Sequence, residues 1–293
     1  MFDIVKNRKV FYIISAVIIL VGIVMMFVQG FTTDTEFMGG VECTVKVNKN
    51  VDNKVQSDIA SIVEKTVGEK PAIQKSDNTS AVIKLTKELN IDDAKKLKDA
   101  LVSKLGIKAE DITNFEVVSP AIGKEMQRTA FLAAIVAVLL MLVYIAFRFE
   151  FLSGIAAVMA LIHDVLIMLT VYVVFKVPVN TSFIAAILTI IGYSINATIV
   201  LFDRVRENVR LTKKTPFATI VNTSVWQTMN RSLLTSLTTI VTVVLLYFMG
   251  VDSIKEFAFP IIVGVIAGCY SSVFLSGNFW VALKKLAKHK NVQ

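Results

Sequence analysis

His163 and Asp164 stand side by side in a run, Phe151 to Val174, that carries no other charged residue. Ionisable groups in hydrocarbon cost roughly 2.5–3.5 kcal/mol each, so each calls for a partner or a task. An aspartate withheld from water can take up a proton, and imidazole titrates near neutrality. The pair therefore has two readings: a proton-responsive site, or a hydrogen-bonded clasp between helices. Asn196 lies in a second polar stretch, Gly192-Tyr193-Ser194-Ile195-Asn196-Ala197-Thr198, whose small and hydroxylated residues permit close helix approach and interhelical hydrogen bonds. Arg231 is followed by Ser232, Thr235, Ser236, Thr238 and Thr239, a hydroxyl-rich run suited to a packed or hydrated face. The same arginine also suits an orientation anchor that snorkels to the interface. Asp203, Arg204, Arg206 and Glu207 form a charged collar, read as a solvated surface or a partner contact. Gly264 and Gly268 make a GxxxG, a helix-packing motif.

Other chemistry lacks its residues. There is no P-loop, no nucleophile elbow, no HExxH and no CxxC or Cys/His ligand cluster. Cys43 and Cys269, the only cysteines, fall in a polar region and a late apolar run, which is no disulfide spacing. The sequence therefore predicts no enzyme, no cofactor and no metal site. Any energy input must come from outside the chain.

The elements that must position these residues are membrane spans. Six apolar runs, roughly 10–28, 130–147, 152–175, 181–202, 229–249 and 256–282, are each long enough to cross about 30 Å of hydrocarbon at 1.5 Å per residue. Mean hydropathy is +0.66. The first run follows Lys6, Arg8 and Lys9 as in a signal peptide. It exceeds the usual apolar core of about 7–15 residues and ends in Met25-Met26-Phe27-Val28-Gln29, with no small-x-small site. It reads as an uncleaved first span.

The net charge of +8 sits at the ends of these runs, which excludes a nucleic-acid surface and fixes orientation instead. Lys6, Arg8, Lys9, Arg148, Arg204, Arg206, Arg210, Lys213, Lys214, Arg231, Lys284, Lys285, Lys288 and Lys290 fall on one side, against Lys176 and Lys255 on the other. By the positive-inside rule both termini are cytoplasmic and residues about 29–129 lie outside. In that segment Val41, Cys43, Val45 and Val47 alternate with polar residues, the period of a half-buried strand. Val55, Ile59, Ile62, Val63 and Val67 recur at helical spacing. Two extended runs, Ala72–Ser76 and Ala81–Thr86, flank a turn at Asp77-Asn78-Thr79. A second helix follows Asn90, with Ala94, Leu97, Leu101 and Leu105 on one face, and Ile112–Val118 makes a last strand. The order β-α-β-β-α-β predicts a ferredoxin-like module. The expected class is thus a membrane α-helical protein with six transmembrane helices and an extracytoplasmic α+β ferredoxin-like domain. Its parts are 1–29 (tail and first span), 30–129 (outside domain), 130–282 (five-helix bundle) and 283–293 (basic tail).

Several stretches together resemble the SecD/SecF family of the resistance-nodulation-division superfamily. Phe37-Met38-Gly39-Gly40 is similar to its Asp-Phe-x-Gly-Gly signature, with Glu36 at the usual Asp. Tyr144-Ile145-Ala146-Phe147-Arg148-Phe149 resembles its Tyr-x-x-Phe-Arg-Phe, and Leu161-Ile162-His163-Asp164 its Leu-x-His-Asp. Tyr193-Ser194-Ile195-Asn196, then Phe202-Asp203-Arg204-Val205-Arg206-Glu207, resembles the most recognisable segment of the SecF branch. Asn230-Arg231 with Thr235-Ser236-Leu237-Thr238-Thr239 resembles its fifth-span motif. The resemblance implies an auxiliary subunit of the Sec preprotein translocase in the bacterial cytoplasmic membrane. It would pair with SecD into a twelve-span unit and use the proton-motive force to promote export of unfolded preprotein. The implied neighbours are the translocon subunits SecY, SecE and SecG, with YidC and YajC, in the lipid bilayer. The resemblance also marks Arg231 as functionally important. The family commonly has an acidic residue directly after Ser-Ile-Asn, and here that residue is Ala197, which carries no proton. The relay's acid then comes from SecD, or Asp164 takes part, or coupling is looser. Two other classes compete: a half-transporter of the same superfamily exporting lipids or small molecules, and a non-transporting structural subunit.

Overall fold

The computed structural model describes residues 2–47, 49–87, 89–212 and 215–290. Lys213 and Lys214 of the basic set, the side chain of Lys290, and residues 291–293 of the tail lie outside that description. The chain is a multi-pass membrane protein, mostly helical, with a small antiparallel sheet. Among the described residues six helices are long and apolar enough to span a bilayer. They are α1 (Arg8–Gln29), α5 (Pro120–Arg148), α6 (Phe151–Val174), α7 (Thr181–Leu211), α8 (Phe217–Met249) and a composite sixth. The sixth runs from α9 (Asp252–Tyr270) through a π-helical segment, Ser271–Ser276, into α10 (Gly277–Lys290).

Three helices outrun their apolar cores. α5 starts at Pro120 because Ser119 caps it, accepting from the Ile122 N–H, and proline suits a first helical position. α7 continues to Leu211, so the charged collar rides on the same helix as Asn196. α8 begins at Phe217, well before the predicted opening at 229. Its first turns are amphipathic, burying Ile220, Val221 and Val225 beside polar residues, and so escape a hydropathy reading. Arg231 accordingly sits inside a long helix and does not open one.

α6, α7 and the sixth span form the centre of the bundle. α1, α5 and α8 present long rows of exposed apolar side chains. Gly264 and Gly268 meet the centre directly: Gly264 packs against Ile190 and Met168, and Gly268 against Ser194. The GxxxG is a packing face, as its spacing predicts.

Between α1 and α5 lie a short helix α2 (Thr35–Met38), β1 (Gly40–Lys46), α3 (Asn53–Val67), β2 (Ala72–Lys75), β3 (Ser80–Leu85), α4 (Ile91–Leu105) and β4 (Ile112–Val118). The strand order is β2-β3-β1-β4, antiparallel throughout. Val41, Cys43 and Val45 of the central β1 are fully buried with Ile59 and Val63 of α3 and Leu97 and Leu101 of α4. Asp52 and Asn90 cap α3 and α4, and Gly68 and Gly106 end them in left-handed conformations.

The sheet unit is pinned to the bundle. Phe37 is buried among Met168, Tyr172, Val179 and Phe183. Gly40 has φ 136°, and a Cβ there would run into the Leu85 carbonyl, so the second glycine of the signature is sterically required.

Candidate functional site

Asp164 is fully buried and His163 nearly so. His163 Nδ1 lies 2.8 Å from Asp164 Oδ1, and His163 Nε2 lies 3.0 Å from Ser15 Oγ on α1. Ser271 Oγ donates to Asp164 Oδ2 at 2.7 Å, and Ser194 Oγ of α7 donates to the same oxygen. An acceptor carboxylate at Nδ1 assigns the imidazole proton to that nitrogen. Four spans therefore converge on one carboxylate–imidazole pair: α1, α6, α7 and the sixth. Gly268 permits this, because its bare backbone lets the sixth span close on Ser194, and Ser271 follows one turn later. Ser271 is also the first residue of the π-helical segment, and such segments recur at functional sites. On its α1 side the pair reaches the wall of an apolar groove of about 490 Å³ between α1, α6 and α9.

Arg231 and Asn196 are not part of this cluster. Both are exposed, and neither side chain makes a hydrogen bond or ion pair among the described residues. Their helices are locked in an antiparallel register by Tyr193 Oη donating to Ser236 Oγ at 2.9 Å, Arg204 Nε to Gln227 Oε1 at 2.7 Å and Asn208 Nδ2 to Ser224 Oγ at 2.8 Å. That register sets Arg231 within about one helical turn of Ala197 along the bundle axis. The predicted site residues thus divide into an inward clasp and an outward pair. The collar is partnered: Asp203 receives Arg148 at 2.6 Å and Arg206 at 3.6 Å, while Arg204 bonds Glu207 at 2.7 Å.

A second polar knot joins the sheet unit to the bundle. Lys84 of β3 bonds Asp34 Oδ2 at 2.9 Å, and Asn180, the cap of α7, donates to the same oxygen at 3.1 Å. Glu36 accepts from the Thr181 N–H at 3.0 Å, an anion at the first turn of α7. The Asp34 N–H donates to Val179, and the Val179 N–H donates to Thr32. Burial alone would raise the Asp34 carboxyl, but the Lys84 ammonium and the hydrogen bonds of Lys84, Asn180 and Thr35 hold it below the usual carboxylate range. Lys84 is raised in return: burial opposes its charge, and Asp34 and Glu42 overcome that. Glu42, 3.8 Å from Lys84, is raised mainly by its own burial.

Ser15, Ser271, Asp34 and Lys84 carry no signal of their roles in the sequence. A serine in an apolar run is common, and their partners lie far away along the chain.

Residues 98–286 match the family model for protein export membrane protein SecD/SecF, C-terminal. The chain belongs to the SecD/SecF family. It is 35% identical to the protein translocase subunit SecF of Alicyclobacillus acidocaldarius, over 99% of this chain and 95% of that one. It is 36% identical to the protein translocase subunit SecDF of Thermus thermophilus, over 94% of this chain and 38% of that longer protein. The crystal structure of SecDF from the same genus superposes on 97% of this chain and 39% of its own, with a TM-score of 0.84 at 32% identity. The chain therefore spans somewhat over a third of the SecDF relatives it matches. The family stretches take structural form in the glycine-tight turn at Gly39–Gly40, the His163–Asp164 clasp, the Tyr193–Ser236 bond and the Arg148–Asp203 ion pair.

Proposed function

We propose that this chain is an auxiliary subunit of the Sec preprotein translocase, acting with SecD to couple the proton-motive force to protein export across the bacterial cytoplasmic membrane. The observation that carries the reading is the match to SecF and SecDF translocase subunits over nearly the whole chain, in sequence and in fold. In this reading both termini are cytoplasmic, and the sheet unit within residues 30–129 lies outside. Its antiparallel order β2-β3-β1-β4, with a helix in each crossover, supports a ferredoxin-like class.

The mechanism has two halves. Arg231 is exposed on α8, level with Ala197, and no acid of this chain answers it among the described residues. The proton-carrying acid is therefore supplied by SecD across the outward face of α7 and α8, where the guanidinium favours its anionic form. One charge crossing 100 mV supplies about 2.3 kcal/mol, enough to tip a two-state element with a gap of that size. The response is carried by α7. Ser194 ties it to Asp164, and its capping Asn180 bonds Asp34, which holds Lys84 of the sheet unit. A shift of α7 therefore reaches the outside domain without a flexible joint. The His163–Asp164 pair serves as the clasp that keeps four spans moving together.

Affinity capture of the chain from gently solubilised membranes, followed by mass spectrometry, tests this reading. A SecD-like chain with translocon subunits is the expected company. Recovery of the chain alone, or with a lipid- or drug-export partner, would shift the reading to a superfamily exporter.

A further inference from the structure

The end of the bundle opposite the sheet unit gathers cations from three helices. Arg148 closes α5, Arg206 and Arg210 lie on the last turns of α7, and Lys284 lies on α10. All four line one pocket of about 490 Å³, in which Glu150 is the only acid. Their internal neutralisation is partial. Asp203 alone serves both Arg148 and Arg206, and Arg210 and Lys284 form no ion pair among the described residues. Arg206 Nε is buried and lacks a hydrogen-bond partner there, an unmet donor beside a site already rich in positive charge.

The walls are aromatic and packed. Phe149 and Trp280 are buried, and Phe202 packs edge-on to Phe149 at 5.7 Å and tilted against Trp280 at 4.8 Å. The Lys284 ammonium stands 4.0 Å from the centre of the Phe217 ring, and the Arg206 guanidinium 5.1 Å from that of Phe149. Arg206 and Lys284 are thus partly ordered by the rings they stand over, which lessens the ordering an anion must impose on them.

The surroundings decide which anion. Phe147 and Phe151, on either side of the Arg148–Glu150 turn, are 90% and 82% exposed. A soluble phosphate gains nothing from them. A phospholipid gains on both counts, with its headgroup among the cations and its chains along the phenylalanines. We propose that this pocket is a seat for an anionic phospholipid, its phosphate received by Arg206, Arg210 and Lys284. Basic pockets between spans at a cytoplasmic surface are suited to such headgroups. The proposal rests on the membrane spans alone and stands or falls separately from the export reading.

Native mass spectrometry of the purified full chain tests it, after equilibration with equal amounts of phosphatidylglycerol and phosphatidylcholine. The wild-type chain is expected to retain phosphatidylglycerol severalfold over phosphatidylcholine. Arg210→Gln with Lys284→Gln removes two exposed cations without touching the packed core, and should bring the two lipids to parity. Lys285→Gln with Lys288→Gln removes the same charge from α10 outside this pocket, and should leave the preference in place. Equal losses in both double variants would make the effect diffuse surface charge and overturn the seat. Displacement of the lipid by millimolar inorganic phosphate alone would overturn the lipid in favour of a free anion. Unchanged retention in the pocket variant would overturn the site altogether.

Discussion

Asp164 holds acceptor positions for His163, Ser194 and Ser271 at once, so no single partner explains its place in the membrane. Removing it leaves one imidazole and two hydroxyls facing each other without a common acceptor. Asp164→Ala should destabilise the bundle by about 3–5 kcal/mol, as broken buried pairs do, and thermal unfolding of the purified protein would register the loss. Ser15→Ala removes only the outermost contact and should cost about 1 kcal/mol in the same assay. Arg231→Leu is a different case. The side chain is exposed and makes no hydrogen bond or ion pair among the described residues, so stability and complex assembly should persist while stimulation of export disappears. Full export activity in that variant would remove Arg231 from the mechanism. At this scale the sequence announced His163, Asp164 and Arg231, because charge in an apolar run is conspicuous. It could not announce Ser15 or Ser271, which lie 148 and 107 residues from the groups they serve.

The knot around Asp34 ties the start of α7 to the sheet unit through Asn180, Glu36 and Lys84. With its carboxyl held below the usual range, Asp34 contributes stability that is present above the unfolded pKa, about 3.9, and lost only as pH falls through the lower folded value. Lys84 is raised, so its share is present below about 10.4 and lost only as pH rises through its higher folded value. The share of the Asp34–Lys84 pair itself should therefore hold unchanged from about pH 5 to 9, as proteolytic protection of the sheet unit would report. Any change at the acid edge of that window belongs to Glu42, whose carboxyl burial raises. The pair is nearly buried, so Asp34→Ala should cost about 3 kcal/mol and loosen that protection, and the exchange Asp34→Lys with Lys84→Asp should restore part of it. Element types were readable throughout this region, since β1 alternates and α3 and α4 keep helical spacing between good caps. Strand ends differ by a residue: β2 stops at Lys75, and β3 begins at Ser80. The knot itself was not readable, because Lys84 looks like any solvent-facing strand residue until Asp34 and Asn180 are folded onto it.

For the whole molecule, the uneven covering of the spans points outward. α1, α5 and α8 all leave broad apolar faces, and that of α8 is set apart because it carries Arg231, exposed and without a hydrogen bond or ion pair among the described residues. Cysteines at Leu234 on α8 and Val17 on α1 would be similarly exposed, at 53% and 54% in the native residues. Only the first should crosslink to a SecD-like chain in membranes, and crosslinking from both would deny α8 a special face. The number of spans was legible because hydropathy is summed over whole helices. The extra turns of α5, α7 and α8 were not, because beyond the hydrocarbon a helix is set by caps and packing and not by apolarity. The sixth span carries one more consequence. A π-helical segment amounts to a single extra residue slipped into an α-helical ladder, so the two halves of this span are out of phase by about 100° compared with an unbroken helix. Ahead of it Gly264 and Gly268 face α6 and α7; behind it Trp280 faces the aromatic cluster and Lys284 the cations. A deletion of one residue between Val273 and Leu275 would leave composition and length almost untouched, yet it would turn one of these faces away from its partners.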